Sequence, residues 1–177
     1  MCSSDLFVAV TAATGSSGSG VSPSETTHHP SRANDFRAYK VLSHQHEAEV
    51  LRTLAAEGWA APLSFVPMSA PMVRGIFATA QFPLPIGMDA QGLRAHFEAC
   101  YRDRFFVRIV DGSPRVAATT GSAFADIGVA ARHGHGAVMV ALDNLGKGMA
   151  AQAVQNLNLA MGWPEWTGLK VAGTYPG

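Results

Sequence analysis

The chain is poor in cysteine, in long apolar runs and in charge of either sign. Two cysteines among 177 residues, Cys2 and Cys100, leave no disulfide framework to hold the fold and make a reducing, cytoplasmic setting the expectation. Thirteen basic residues balance thirteen acidic ones with no run of Lys or Arg, which excludes the basic footprint of a nucleic-acid partner. No apolar run approaches the roughly 20 residues that cross a bilayer, so no membrane partner is expected. The opening MCSSDLFVAV carries Asp5 and no basic segment, unlike a signal peptide. What the chain does have is apolar residues, at 47%, enough for the core of one ordinary domain.

The stretch LFVAVTAAT reads as a strand and runs into GSSGSG and VSPSETTHHPSRAND, a polar loop with Pro23 and Pro30. Its glycines, Gly15, Gly18 and Gly20, do not fall at the G-x-G-x-x-G spacing of a dinucleotide loop. FRAYKVL reads as another strand. Ser43 is then the expected N-cap of a helix over HQHEAEVLRTLAAEG, with Leu51, Leu54 and Ala55 on one face and Gly58 past its end. FVPMSAPMVRGIFATAQFPL holds one or two strands, and AQGLRAHFEACYR a helix aligning Leu93, Phe97 and Tyr101. RFFVRIV and GAVMVALDN follow as strands. A last helix, DNLGKGMAAQAVQNLNLAMG, is capped by Asp143 or Asn144, carries Leu145, Met149, Val154, Leu157 and Met161 along one face, and stops at Gly162 and Pro164. This irregular order points to an α+β fold with a mixed or antiparallel sheet rather than a doubly wound one.

The histidines do not make a metal site by pattern. HEAEV lacks the second histidine of H-E-x-x-H because position 50 is Val, and on a helix His44 and His46 point about 200° apart. The pairs His28/His29 and His133/His135 fall in loops without cysteine or clustered carboxylates. His46 and Glu49 are another matter: at i and i+3 they share a helix face. That spacing fits an imidazole base with its orienting carboxylate, and equally an ordinary polar helix start. Arg74, inside the apolar PMVRGIFAT, needs an anion, either a protein carboxylate or a substrate phosphate or carboxylate; Gly75 beside it permits close backbone approach. Gln152, Gln155 and Asn158 read as a solvated face of the last helix. Cys100, late in a helix among aromatics, reads as a buried, inert thiol.

Six stretches, TGSSGSG, THHPSRANDFRAYKVLSHQHEAEV, PMVRGIFAT, RFFVRIV, GSAFADIG and LDNLGKGMAAQAVQNLNLAMG, carry a resemblance over most of residues 10 to 175. In this order they resemble the N-acetyl-gamma-glutamyl-phosphate reductases of arginine biosynthesis. They also resemble the relatives of these enzymes that reduce an aminoadipyl or glutamyl phosphate attached to an amino-group carrier protein, in lysine or arginine biosynthesis. The resemblance implies a domain like the C-terminal half of the glyceraldehyde-3-phosphate and aspartate-semialdehyde dehydrogenases. Residues 8–142 would form the substrate-binding and dimerisation domain, and residues 143–177 a helix and tail that pack on a Rossmann domain. The implied reaction is an NADPH-dependent reduction: a cysteine thiolate attacks the acyl phosphate, phosphate leaves a thioester, and hydride releases the semialdehyde. By the same resemblance His46 is the general acid/base and Glu49 its orienter. His44 and Arg74 touch the substrate, Arg74 through its phosphate or carboxylate. Ser16, Ser17 and Ser19 donate hydrogen bonds to it, and Asn144 and Lys147 meet NADP(H). A homo-oligomer is implied as well.

The chain departs from that pattern. The family's glycine-rich nucleotide-binding domain and the Gly-Cys motif of its nucleophile are not found in this sequence, and MCSSDL does not match the motif, so Cys2 is rejected as nucleophile. Residues 1–7 are expected to be foreign or disordered, and the chain to be a fragment that is inactive alone. The apolar face over residues 145–161 would then lose cover and invite self-association. Ala123 stands where the family usually places Asn. THHPSRA leans toward the carrier-linked branch, but Arg32, Arg37, Arg102, Arg104 and Arg108 are scattered. These features do not decide the substrate; free N-acetyl-gamma-glutamyl phosphate is expected because that branch of the family is the commoner one, and a carrier-linked substrate, or a non-catalytic binding module, is the alternative.

Overall fold

The strands β1 (Val8–Thr14), β2 (Arg37–Ala38), β3 (Leu63–Ser69), β4 (Ile76–Pro83), β5 (Val107–Ile109), β6 (Ala125–Arg132) and β7 (His135–Leu142) form one sheet, in the order β2-β3-β1-β4-β7-β6-β5. The pairs β1–β3 and β5–β6 are parallel and the others antiparallel, a mixed sheet of the α+β class that the sequence order implies. These assignments come from a computed structural model that describes residues 7–22 and 24–174. Cys2 and, apart from Phe7, the opening segment lie outside the described residues.

Helices cover the two ends of the sheet. One helix, α2 (Gln45–Ala56), packs on β3, and α3 (Ala90–Tyr101) packs on β5 and β6. Asp89 caps α3 by accepting the Gly92 N–H at 2.8 Å, Leu93 is buried, and Phe97 stacks on Tyr101 at 6.2 Å. Between these helices, β1 is only half-buried along its whole length, and so is β4 apart from the exposed Gln81. Cross-strand partners share a face. The sheet face opposite His44 and Phe65 therefore carries Val66, Thr11, Thr79 and Met139 in one row, and Met68, Ala13 and Phe77 in the next.

Local chemistry moved several boundaries. FRAYKVL keeps only Arg37 and Ala38 in the sheet, because Lys40 and Leu42 adopt left-handed backbone (φ +43° and +54°) that turns the chain off the edge and into α2. The cap of α2 is His44 rather than Ser43: its Nδ1 accepts the His46 N–H at 3.3 Å. Gly58 ends that region in left-handed backbone, as its place in the sequence implies. Strand β6 went unrecognised because Asp126 and Gly128 interrupt its apolar pattern. Both are buried. Asp126 is paired with Arg108 at 2.6 and 3.0 Å, and a Cβ on Gly128 would collide with the Gly112 carbonyl. His133 and Gly134, both at positive φ, form the two-residue turn between β6 and β7. His135 therefore begins a strand rather than lying in a loop, and His29 begins the short helix α1 (His29–Arg32). A second short helix, α4 (Val116–Thr119), precedes β6.

The last helix, α5 (Ala151–Ala160), follows one π-helical turn over Gly146–Ala150 and is built inside out. Gln155 and Asn158, expected on a solvated face, are buried. Gln155 donates to the Glu165 carboxylate at 2.6 Å, and Asn158 donates to the carbonyls of Glu165 and Thr167 at 3.1 and 2.9 Å. The tail after Pro164 folds back over this side, and its backbone carbonyls require donors once covered. The apolar residues Met149, Val154, Leu157 and Met161 stay exposed, as expected of an uncovered stripe. Cys100 is exposed instead of buried. Ala123 sits in the small core with Phe106 and Leu169, where the family's usual Asn would need a partner.

Candidate functional site

Where β1 ends, the chain makes a single 3-10 turn over Ser16–Ser19 that is strapped to the segment before β4. Gly15, Ser16 and Ser17 donate their N–H groups to the carbonyls of Gly75, Met72 and Val73 at 2.9 to 3.0 Å. A Cβ on Gly15 would lie 2.5 Å from the Val73 carbonyl oxygen, so glycine is what lets the two backbones close. Asn144, just past β7, ties the same two pieces together: its Oδ1 accepts the Gly75 N–H at 2.8 Å and its Nδ2 donates to Ser17 Oγ at 2.9 Å.

Asp143 lies beneath them, fully buried. Its carboxylate accepts from Arg74 Nη2 at 2.7 Å and Nε at 3.3 Å, from the N–H groups of Leu145 and Gly146 at 2.8 and 3.0 Å, and from that of Gly121. Burial by itself would raise its pKa. The Gly121 N–H, Arg74 and the Gly146 and Leu145 N–H groups outweigh that and hold it below the ordinary carboxylate range. Arg74 thus has a protein carboxylate as its anion. Its outer part, with 38% of the side chain exposed, lines a cleft of about 250 Å³ together with Ser122, Ala123, Leu145, Gly146 and Val154.

The histidines stand elsewhere. His44 meets the rings of Tyr39 and Phe65 edge-on at 5.7 and 5.6 Å and that of His46 at 4.6 Å. Burial, then the nearby charges of His46 and Lys40, push its pKa down. His46 Nε2 lies 4.0 Å from Glu49 Oε2, both side chains mostly in solvent. Phe65 precedes Ser69 by four residues, so the histidines sit over β3 roughly 13 Å along the strand from its end at the serine turn. Lys147 faces a third direction, donating to Gln155 Oε1 at 2.6 Å and resting 5.7 Å from the Phe106 ring centroid; burial lowers its pKa, with Glu165 acting against it.

The structure therefore gathers Ser16, Ser17, Arg74 and Asn144 into one constellation, with Ser19 on the far side of the turn. It keeps His44, His46 and Glu49 as a second group, and Lys147 apart. Cys100, on the helix over β5 and β6, is four strand spacings from β3, roughly 19 Å, and is not beside His46. Among the described residues no group of three or more His, Cys, Asp or Glu is placed to hold a metal. No described helix is long and apolar enough to cross a membrane.

Three residues of this region were not singled out from sequence. Asp143 was read only as a cap; an acid closing the apolar run VMVAL was the available signal of its buried role. His29 and Arg32 lie under the serine turn, His29 Nδ1 at 2.7 Å from Ser16 Oγ and Arg32 donating to Ser19 Oγ at 2.9 Å. Nothing in a polar, Pro-containing stretch marks them.

Residues 2–144 match the family model described as semialdehyde dehydrogenase, dimerisation domain. The N-acetyl-gamma-glutamyl-phosphate reductase of Methanosarcina mazei is 40% identical over 166 residues, covering 92% of this chain and 49% of that protein. The [LysW]-L-2-aminoadipate 6-phosphate reductase of Deinococcus radiodurans is 37% identical over 177 residues, covering 96% and 50%. The chain spans about half the length of the curated relatives it matches. In fold it is similar to a probable aspartate-semialdehyde dehydrogenase from Pseudomonas aeruginosa, with a TM-score of 0.68 at 16% identity over 88% of this chain and 55% of that one. Aspartate semialdehyde dehydrogenase II from Vibrio cholerae gives 0.66 at 16% identity over 88% and 54%. With most of its length under one family model, and with a sheet that neighbouring dehydrogenases share, this chain belongs to the semialdehyde dehydrogenase dimerisation-domain family.

Proposed function

We propose that this chain supplies the substrate-binding and dimerisation half of an NADP(H)-dependent reductase that converts N-acetyl-gamma-glutamyl phosphate to N-acetylglutamate semialdehyde with release of phosphate. The observation that carries the reading is the 40% identity to a reductase of that name across 92% of the chain. The geometry supports it. An exposed imidazole beside a carboxylate, next to a His44 ring that packs on Tyr39 and Phe65, is open to a reacting atom. His46 would take the proton of an attacking thiol and return one to the oxygen that becomes the aldehyde, while Glu49 orients it. His44 would form the wall beside the substrate. Ser16, Ser17 and Ser19 would donate hydrogen bonds to the substrate. Arg74, anchored by Asp143, would present its outer edge to the phosphate or carboxylate.

NADP(H) belongs to the same proposal and would supply the hydride when bound. Asn144 has its amide engaged by Gly75 and Ser17, so its part would be to hold the serine turn in place. Lys147, held by Gln155 and resting over the Phe106 ring, would turn its ammonium group to a phosphate of the nucleotide. The half-buried sheet face of Val66, Met68, Phe77 and Met139 would pair with a second copy. A carrier-linked aminoadipyl phosphate is the second reading, favoured by the 37% identity to the Deinococcus radiodurans reductase.

The test is phosphate- and NADP-dependent oxidation of N-acetylglutamate semialdehyde. It is run on this chain as it stands and on the chain joined to the nucleotide-binding half of the Methanosarcina mazei reductase. Activity in the joined protein that falls about 100-fold or more in His46→Asn supports the reading. Full activity in that variant removes His46 from the chemistry. Activity only with the carrier-linked substrate moves the chain to the second reading.

A further inference from the structure

Two arginines flank the serine turn, and among the described residues only one has an acidic partner. Arg74 has the Asp143 carboxylate. Arg32 is 3% exposed and, among the described residues, has no acidic partner. Its Nη2 donates to the Thr14 carbonyl at 2.7 Å, its Nη1 to Ser19 Oγ at 2.9 Å, and its buried Nε has no hydrogen-bond partner. Those two contacts sit on either side of Gly15, Ser16, Ser17 and Gly18, so one planar fork spans the turn from its entry to its exit. The ionisable groups that act on it electrostatically are Tyr39 and Arg37, and Arg37 is itself bridged to Asp35 at 3.2 Å. A buried guanidinium facing neutral oxygens is costly unless a negative group offsets it. An apolar side chain of similar length would fill the space without that cost. The charge beneath the turn therefore calls for an anion above it.

We propose that Arg32 is the positioning residue of the Ser16–Ser19 turn: it clamps both ends of the turn and supplies the uncompensated positive charge that makes the turn a subsite for an anionic oxygen group, the phosphate or carboxylate end of the substrate. The wall of this subsite holds Ser16, Ser17, His28 and His29 around a cavity of about 340 Å³. The assignment rests on the reading that the serines touch substrate. It adds the group that gives them their preference for charge, alongside the outer edge of Arg74, whose own charge Asp143 offsets.

The experiment titrates the full chain with inorganic phosphate and, separately, with N-acetylglutamate, against chloride at equal ionic strength, and follows backbone amide signals by NMR. Phosphate or the carboxylate ligand shifting residues 16–19 and 29 is the expected result, and whichever binds more tightly names the group. Arg32→Met, shown folded by circular dichroism, is expected to weaken that binding tenfold or more. Arg32→Lys, which keeps the charge but not the two-point fork, is expected to recover most of it. A folded Arg32→Met with wild-type affinity overturns the proposal, as do shifts confined to the surroundings of Arg74. If Arg32→Met does not fold, the wild-type titration and Arg32→Lys still decide. Phosphate held at the turn without reductase activity in the joined protein leaves the inference standing and removes the functional reading; activity with a silent turn does the reverse.

Discussion

The corner around Asp143 and the first turn of α2 each set a carboxylate against a basic side chain, yet they differ in burial, in distance and in how many groups share the charge. Asp143 is fully buried and collects Arg74 at 2.7 Å and three backbone N–H groups. His46 and Glu49 are exposed and 4.0 Å apart, a contact worth little in water. Short, buried and fully partnered contacts hold the architecture: this one joins the segments before β4, before β6 and after β7. Loose, exposed ones leave a side chain free to move a proton to a visiting atom. The difference teaches that the pair proposed to carry the chemistry is the one the fold depends on least.

That contrast can be broken from the Asp143 side first. Asp143→Ala strips Arg74 of its anion and three N–H groups of their acceptor, and is expected to cost about 3–5 kcal/mol in urea unfolding. Arg74→Met, which leaves the carboxylate its backbone donors, is expected to cost less, about 1–3 kcal/mol. The double variant should fall short of the sum, because the two residues share one network. Next in size is Gly75→Ala, expected to lose about 1–3 kcal/mol, since Gly75 has φ +102° and a Cβ there would strike Val116. Adding Val116→Ala should return only the steric part, leaving the left-handed backbone of residue 75 strained.

Acidification separates the two regions by pH. His44 has a lowered pKa in the fold. Its contribution is complete above the unfolded value of about 6.5 and drains as pH falls below it, because the unfolded chain takes up the proton first. A protonated Nδ1 can no longer accept the His46 N–H, so the start of α2 should loosen. Asp143, also lowered, keeps its contribution down to the unfolded value of about 3.9 and loses it as pH falls through the folded one. Helicity and His44 ring shifts should therefore change at milder acidity than global unfolding; simultaneous change would mean that His44 is not the cap. The smallest expected effect sharpens the comparison: His46→Asn should alter stability by no more than about 0.5 kcal/mol in the same urea experiment. A loss of several kcal/mol would place His46 in the architecture instead.

Much of the fold was legible because its signals are local. Val8–Thr14, strand structure within FVPMSAPMVRGIFATAQFPL, the helix aligning Leu93, Phe97 and Tyr101, and the Gly58 stop all follow from residue type, side-chain spacing or glycine. What escaped was set by partners distant in sequence. Asp126 and Gly128 looked like interruptions until Arg108 and the Gly112 carbonyl were placed beside them. Gln155 and Asn158 looked solvated until the tail folded over them. In the candidate site, the i, i+3 spacing brought His46 and Glu49 to one face in advance, whereas Arg74 waited on a carboxylate 69 residues away.

By itself, then, the amino-acid sequence determined the class of fold, the positions of most elements, the family and the pairing of His46 with Glu49. Each depends on neighbours a few residues apart or on a pattern of side chains along the chain. Only the tertiary structure decided which charges are neutralised. It closed Arg74 onto Asp143, set Arg32 under the serine turn with no acid beside it among the described residues, and turned the polar side of α5 inward with its apolar side exposed. Burial and the meeting of remote segments fix the energy of a charge, and neither is written in local spacing.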